Sequence, residues 1–138
     1  RASALTATGG TSFFGLGTPT VNGSGHTYTV AHAGFKITGS AGTDSLYATQ
    51  ADGTTENASA ALITVADGAQ IDLILKINST TSVDYYNRKS GGALSAATNL
   101  TTNMPDAGTM TRHLRFQVSN LTVATSTVFS VWTASYSR

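Results

Sequence analysis

Residues 71–78 carry the sharpest alternation in the chain. Ile71, Leu73, Leu75 and Ile77 fall on one side of an extended backbone, and Asp72, Ile74, Lys76 and Asn78 on the other. A period of two is the mark of a strand with one buried face. Ser79-Thr80-Thr81 reads as a connection, after which Val83 and Tyr85 oppose Asp84 and Tyr86 on the next strand. Residues 87–92 form a polar turn and residues 93–101 a weak strand, ended by Pro105, Asp106 and Gly108. Leu114, Phe116 and Val118 then alternate with Arg115 and Gln117. Residues 127–136 form a last long strand with Phe129 and Val131 on one face and Val128, Trp132 and Tyr136 on the other. Large groups on both its faces make it a strand covered twice, or one that meets a partner subunit.

The first half follows the same rhythm. Residues 12–17 form a short apolar strand closed by Gly17 and Pro19, and Asn22-Gly23-Ser24-Gly25 is a turn. Strands are expected over 26–30, 33–37 and 45–49, with turns at 40–43 and 51–53. Residues 60–65 are apolar enough for a short helix, but β-branched Ile63, Thr64 and Val65 followed by Asp67-Gly68 favour a strand. Glu56 falls in a turn-like stretch over 54–59. About ten strands at spacings of roughly 8–14 residues give the rhythm of an all-β antiparallel sandwich or jelly roll. Residues 1–10 read as an N-terminal arm, flexible or docking, and residues 11–138 as one β-sandwich domain. The chain opens on Arg1 rather than Met, which predicts processing, trimming from a longer protein, or missing first residues.

Composition sharpens this picture. Of the 138 residues, 40% are hydrophobic and only 11% charged, against the pattern of a disordered tail. One Glu and three Lys leave little for the exposed faces of long helices, while Thr, Ser, Gly and Asn suit pleated surfaces and turns. The net charge of +1 is too small for electrostatic binding of nucleic acid, and the Arg88-Lys89 and Arg112-His113-Arg115 clusters read as solvated surface. No apolar run approaches the roughly 20 residues of a membrane span, and none reads as a signal peptide. With no cysteine, disulfides, a thiol nucleophile and Cys-ligated zinc are excluded.

The candidate chemistry is sparse. A glycosidase needs two carboxylates flanking the scissile bond, whereas Asp44, Asp52, Asp67 and Asp106 sit beside turns and Asp72 and Asp84 face away from the core. No Gly-x-Ser-x-Gly, His-x-x-x-His or EF-hand pattern occurs. No enzyme activity and no cofactor are expected. Sugar binding uses aromatic faces beside planar polar groups. Tyr28, Tyr47, Tyr86, Trp132 and Tyr136 are the aromatic candidates. Tyr86 and Tyr136 lead because their strand-mates are polar or small, with Asp84, Asn87, Arg112 and Arg115 as polar companions. Five Asn-x-Ser/Thr triplets, at Asn22, Asn57, Asn78, Asn99 and Asn120, are read as chance in a chain rich in Ser and Thr.

An ordered set of short motifs adds a resemblance. Phe14-Gly15-Leu16, Gly34-Phe35, Ala51-Asp52-Gly53-Thr54-Thr55, Leu75-Lys76-Ile77-Asn78, Val83-Asp84-Tyr85-Tyr86-Asn87 and Asn103-Met104-Pro105 occur in that order. The set resembles the concanavalin A-like, laminin G-like jelly rolls of bacteriophage virion proteins, over about residues 11–136. A longer basic loop over residues 87–92 replaces that family's tight Asn-Gly turn. The resemblance implies a two-sheet jelly roll that serves as a non-enzymatic virion module, as head decoration or in a fibre, on the virion surface or outside the cell. The resemblance also allows one structural calcium on Asp44, Asp52 and Asp67, as the less favoured alternative to no cofactor. Its partners would be other virion subunits or further copies of itself, with no nucleic acid and no membrane. The alternative is a lectin-like receptor module of a tail fibre or secreted protein that binds cell-surface glycans.

Overall fold

The computed structural model describes residues 11–17, 30–40, 43–66, 69–105 and 113–119. These residues are all-β, with no helix among them, and form two antiparallel sheets. The larger sheet contains β1 (Thr11–Gly17), β2 (His32–Ser40), β3 (Thr43–Ala51), β4 (Glu56–Ala58), β5 (Ile63–Val65) and β9 (His113–Ser119). Its order is β4-β3-β2-β1-β9, with β5 also on β3. The smaller sheet has the order β6-β7-β8, from β6 (Ile71–Ser79), β7 (Ser82–Lys89) and β8 (Thr98–Leu100). Residues expected as strand over 26–30 and 127–136, the turn at 22–25 and the N-terminal arm lie outside the described residues, apart from Val30, which sits in a bend.

One apolar cluster draws on both sheets. Phe35 and Ile37 of β2, Leu46 and Ala48 of β3 and Val65 of β5 meet Val83 and Tyr85 of β7 and Leu100 of β8. Phe14, Leu73 and Leu75 pack against its margin. The register explains the grouping: Phe14 faces Phe35, Phe35 faces Ala48, and Ile37 faces Leu46, so directly paired residues share a side. At the centre the Phe35 and Tyr85 rings meet edge to face, with centroids 5.4 Å apart.

The same core carries a polar tie between the sheets. The Tyr85 hydroxyl donates to Gln50 Oε1 at 3.1 Å and lies 3.2 Å from the Thr49 carbonyl. Gln50 Nε2 donates to the Thr102 carbonyl at 2.6 Å. Gln50 and Tyr85 are fully buried, so each of these groups needs its partner. Burial pushes the Tyr85 phenol above its ordinary range, and it stays a neutral donor.

The other face of the larger sheet is also buried at Phe13, His32, Thr49 and Ala51. Gly15 lies directly opposite Gly34, and a side chain added at Gly34 would come within 2.8 Å of the Phe13 ring. The paired glycines thus leave a floor for that ring, which meets the His32 imidazole edge-on at 5.2 Å. His32 starts a polar chain. Its Nδ1 lies 2.7 Å from the Val30 carbonyl, its Nε2 lies 2.9 Å from Thr49 Oγ1, and Thr49 donates to Glu56 Oε1 at 2.6 Å. Lys36 Nζ reaches the same carboxylate oxygen at 2.6 Å and lies 5.8 Å from the Tyr47 ring centroid. A carbonyl accepts only, and the single Thr49 proton goes to Glu56. His32 is thus linked to the Glu56 carboxylate through one hydroxyl.

Three local expectations change. Glu56 is not in a turn: it opens β4 and pairs with Ala51. Residues 56–65 run along one edge of β3 as a broken strand, interrupted at 59–62. There Ser59 Oγ accepts from Ala48 N at 3.0 Å while Ser59 N donates to the Ala48 carbonyl at 3.0 Å. A bulged, divided edge resists pairing with another chain's strand. The weak strand expected over 93–101 shortens to β8. Before it, Ser95 clips onto Asn87, with Asn87 N donating to Ser95 Oγ at 3.0 Å and Ser95 N to the Asn87 carbonyl at 2.9 Å. β7 continues to Lys89, so the polar turn begins later, at Ser90 and Gly91, where Gly91 takes a φ of 73° that favours glycine.

Two stability experiments follow from the buried polar groups. Tyr85→Phe and Gln50→Ala each lower unfolding free energy by about 1–3 kcal/mol. In a denaturant double-mutant cycle the pair is expected to show coupling, and additive losses would mean the two side chains act independently. Thr49→Val removes the hydroxyl between His32 and Glu56 and lowers stability by a similar about 1–3 kcal/mol, while Thr49→Ser keeps most of it. Equal stability of the Val and Ser variants would show that the hydroxyl is not what matters there.

Candidate functional site

The smaller sheet turns one side to the core and the other to solvent. Alternation along β7 places Val83, Tyr85 and Asn87 inward and Asp84, Tyr86 and Arg88 outward. Cross-strand pairing then aligns three outward rows: Asp72 opposite Arg88, Ile74 opposite Tyr86, and Lys76 opposite Asp84. Asn99 of β8 extends the last row from the far side of Asp84. The result is a patch with an apolar middle row between two rows of opposite charges. Ile74 is 43% exposed in that middle row.

Each charged row is tied within itself. Arg88 Nε donates to Asp72 Oδ2 at 2.8 Å, and its terminal nitrogen reaches the same oxygen. Both side chains are nearly half exposed, so solvent screens this pair and its contribution to stability is small. Asn99 Nδ2 donates to Asp84 Oδ1 at 2.6 Å and also lies 2.8 Å from Ser82 Oγ. The Asp84 carboxyl is held below its ordinary range, first by a hydrogen bond from Asn78, then by Asn99, and last by the charge of Lys76.

Of the residues expected to bind a glycan, Asp84 and Tyr86 share this face. Asn87 does not: it follows Tyr86 on the same strand, so its side chain turns to the opposite side, where it is buried. Arg115 belongs to β9 of the other sheet, paired with Gly15. Arg112 and Tyr136 lie outside the described residues. Among the remaining aromatic candidates, Tyr47 is on the larger sheet beside Lys36, while Tyr28 and Trp132 lie outside the described residues.

Ile74, Arg88 and Asn99 belong to the patch without having been expected there. The alternation of β6 already put Ile74 outward; its neighbourhood to Tyr86 depended on the register. The hairpin closes with Ser79 opposite Ser82, but a bulge between Ile77 and Ser79 shifts every later pair by one position. Without the shift Asp72 would face Lys89, and Ile74 would face Asn87.

The carboxylates considered for calcium do not converge. Asp44 is buried at the start of β3, opposite Val65. Asp52 is exposed and caps a turn, where its Oδ1 accepts from Thr54 N at 2.8 Å, Thr54 Oγ1 at 2.8 Å and Thr55 N at 2.9 Å. These bonds, led by that from the Thr55 amide, lower its pKa. Asp67 lies outside the described residues. Among the described residues no three His, Cys, Asp or Glu side chains are grouped to hold a metal ion. No protein-family model, curated protein or solved structure matches the chain.

The Asp84 network makes a titration prediction. Its depressed carboxyl contributes stability above the unfolded-state value and loses it as pH falls through the lower folded-state value. An NMR titration of the Asp84 carboxyl carbon should show a midpoint below that of an ordinary aspartate. Asn78→Ala and Asn99→Ala should each move it up. An unchanged midpoint in both variants would remove the asparagines as its cause.

Proposed function

We propose that this chain is a concanavalin A-like jelly-roll module with no chemistry of its own. It serves as a structural subunit of a phage virion, as head decoration or in a fibre, and acts through subunit contacts and surface presentation. The ordered motifs from Phe14-Gly15-Leu16 to Asn103-Met104-Pro105 supply the resemblance to that family. The observation that carries the role is the outward face of β6, β7 and β8: a patch whose charges are matched in rows around Ile74 and Tyr86. Matched charges on a sheet face suit contact with another protein surface, where a buried lone charge would be costly. In this role the protein sits on the virion surface, outside the host cell.

A second reading has one specific support. Tyr86 stands beside Asp84 on this face, so an aromatic ring and a carboxylate acceptor share a surface, as sugar recognition requires. The two readings part in experiment. The structural role requires that the purified protein saturate phage particles lacking it at a fixed number of copies and give no signal on a glycan array. A monomeric protein that binds glycans, and loses them on Tyr86→Ala or Asp84→Ala, would overturn it in favour of the lectin-like role.

A further inference from the structure

The charge pattern on the outward face of the smaller sheet is complementary to itself. Viewed from solvent, one strand carries Asp72, Ile74 and Lys76, and its neighbour carries Arg88, Tyr86 and Asp84 in matching rows. Negative and positive therefore occupy opposite corners of a square, with apolar groups along its midline. Laying a second such face on the first about a two-fold axis parallel to the strands brings Asp72 over Arg88 and Lys76 over Asp84. A two-fold axis across the strands brings Asp72 over Lys76 and Arg88 over Asp84. In both cases every like-charge contact is avoided and the Ile74-Tyr86 row packs on its counterpart. Two-fold contacts of this self-matching kind are the commonest way for one chain to pair with itself.

We propose that this face is an interface between two copies of this chain, related by a two-fold axis lying in the interface. The proposal rests on the reading of the chain as a module that works through subunit contacts, and it names the partner as the chain itself. The size of the face sets the strength. A nine-residue strand is about 30 Å long and strands lie about 4.8 Å apart, so two full strands and the short β8 cover about 350 Å². A pair of such faces buries about 700 Å², below the roughly 1,000 Å² of a stable complex. Free copies thus pair weakly. The contact becomes effective where copies are held close together on a larger assembly.

Sedimentation equilibrium over a concentration series tests this. A monomer–dimer equilibrium is expected that weakens as salt rises from about 20 mM to about 500 mM. Lys76→Asp places like charges in contact for either axis and should weaken pairing about tenfold or more. Lys89→Asp makes the same change in net charge one residue beyond the rows and should leave pairing as it was. The double swap Lys76→Asp with Asp84→Lys keeps opposite charges in the row within each copy. It restores pairing for the axis parallel to the strands and fails to restore it for the axis across them. Circular dichroism confirms that each variant is folded. A protein that stays monomeric up to millimolar concentration, or pairing that Lys76→Asp leaves unchanged, overturns the interface. Saturation of particles by a monomeric protein would do so while leaving the structural role standing.

Discussion

The hydrogen bond from the Tyr85 hydroxyl to Gln50 holds the two sheets in one arrangement. Apolar packing between sheets is tolerant of sliding, because one aliphatic contact replaces another at little cost. A buried amide and phenol are not tolerant, since each displaced group is left without water or partner. Gln50 also fixes its own orientation: with Nε2 on the Thr102 carbonyl and Oε1 on the Tyr85 hydroxyl, exchanging the two ends would spoil both bonds. One side chain on β3 thereby ties β7 and the segment after β8. Asn57, across the ladder from Gln50, adds a second bond to Thr102 through its hydroxyl at 2.8 Å.

The two sheets are unequal in what they leave exposed. The larger one is buried on one face by the shared core and on the other at Phe13, His32, Thr49 and Ala51. Its second face holds charges, but these are joined through Thr49 into a chain from His32 to Lys36. The smaller sheet has one buried face only. Its outward side is where ordered side chains on rigid strands meet solvent, and a site on strands keeps its spacing better than one on loops. This difference is why the candidate surface falls on β6, β7 and β8.

Much of this was legible in the residues. The alternation of Ile71 to Asn78 and of Val83 to Tyr86 placed Asp72, Lys76, Asp84 and Tyr86 outward, because side-chain direction in a strand follows position alone. Other features depended on partners distant in the chain. Glu56, between threonine, glycine and asparagine, looked like turn chemistry, yet Lys36 and Thr49 draw it into an edge strand. Asn87, a polar candidate for the same site, follows Tyr86 directly in the chain. Strand geometry separates them, since neighbours along a strand point to opposite faces.

Sequence alone determined the class of structure: an all-β chain of short strands, with the inward and outward sides of its clearest hairpin already assigned. Period-two patterning is a local property, read from successive residues without knowing their partners. Tertiary structure decided which strands became neighbours and in what register. The bulge between Ile77 and Ser79 shifts β6 against β7 by one residue and so sets Ile74 beside Tyr86 and Asp72 beside Arg88. A one-residue shift reassigns every cross-strand pair, and its energy comes from matching apolar sides across the whole hairpin, which no single stretch of sequence records.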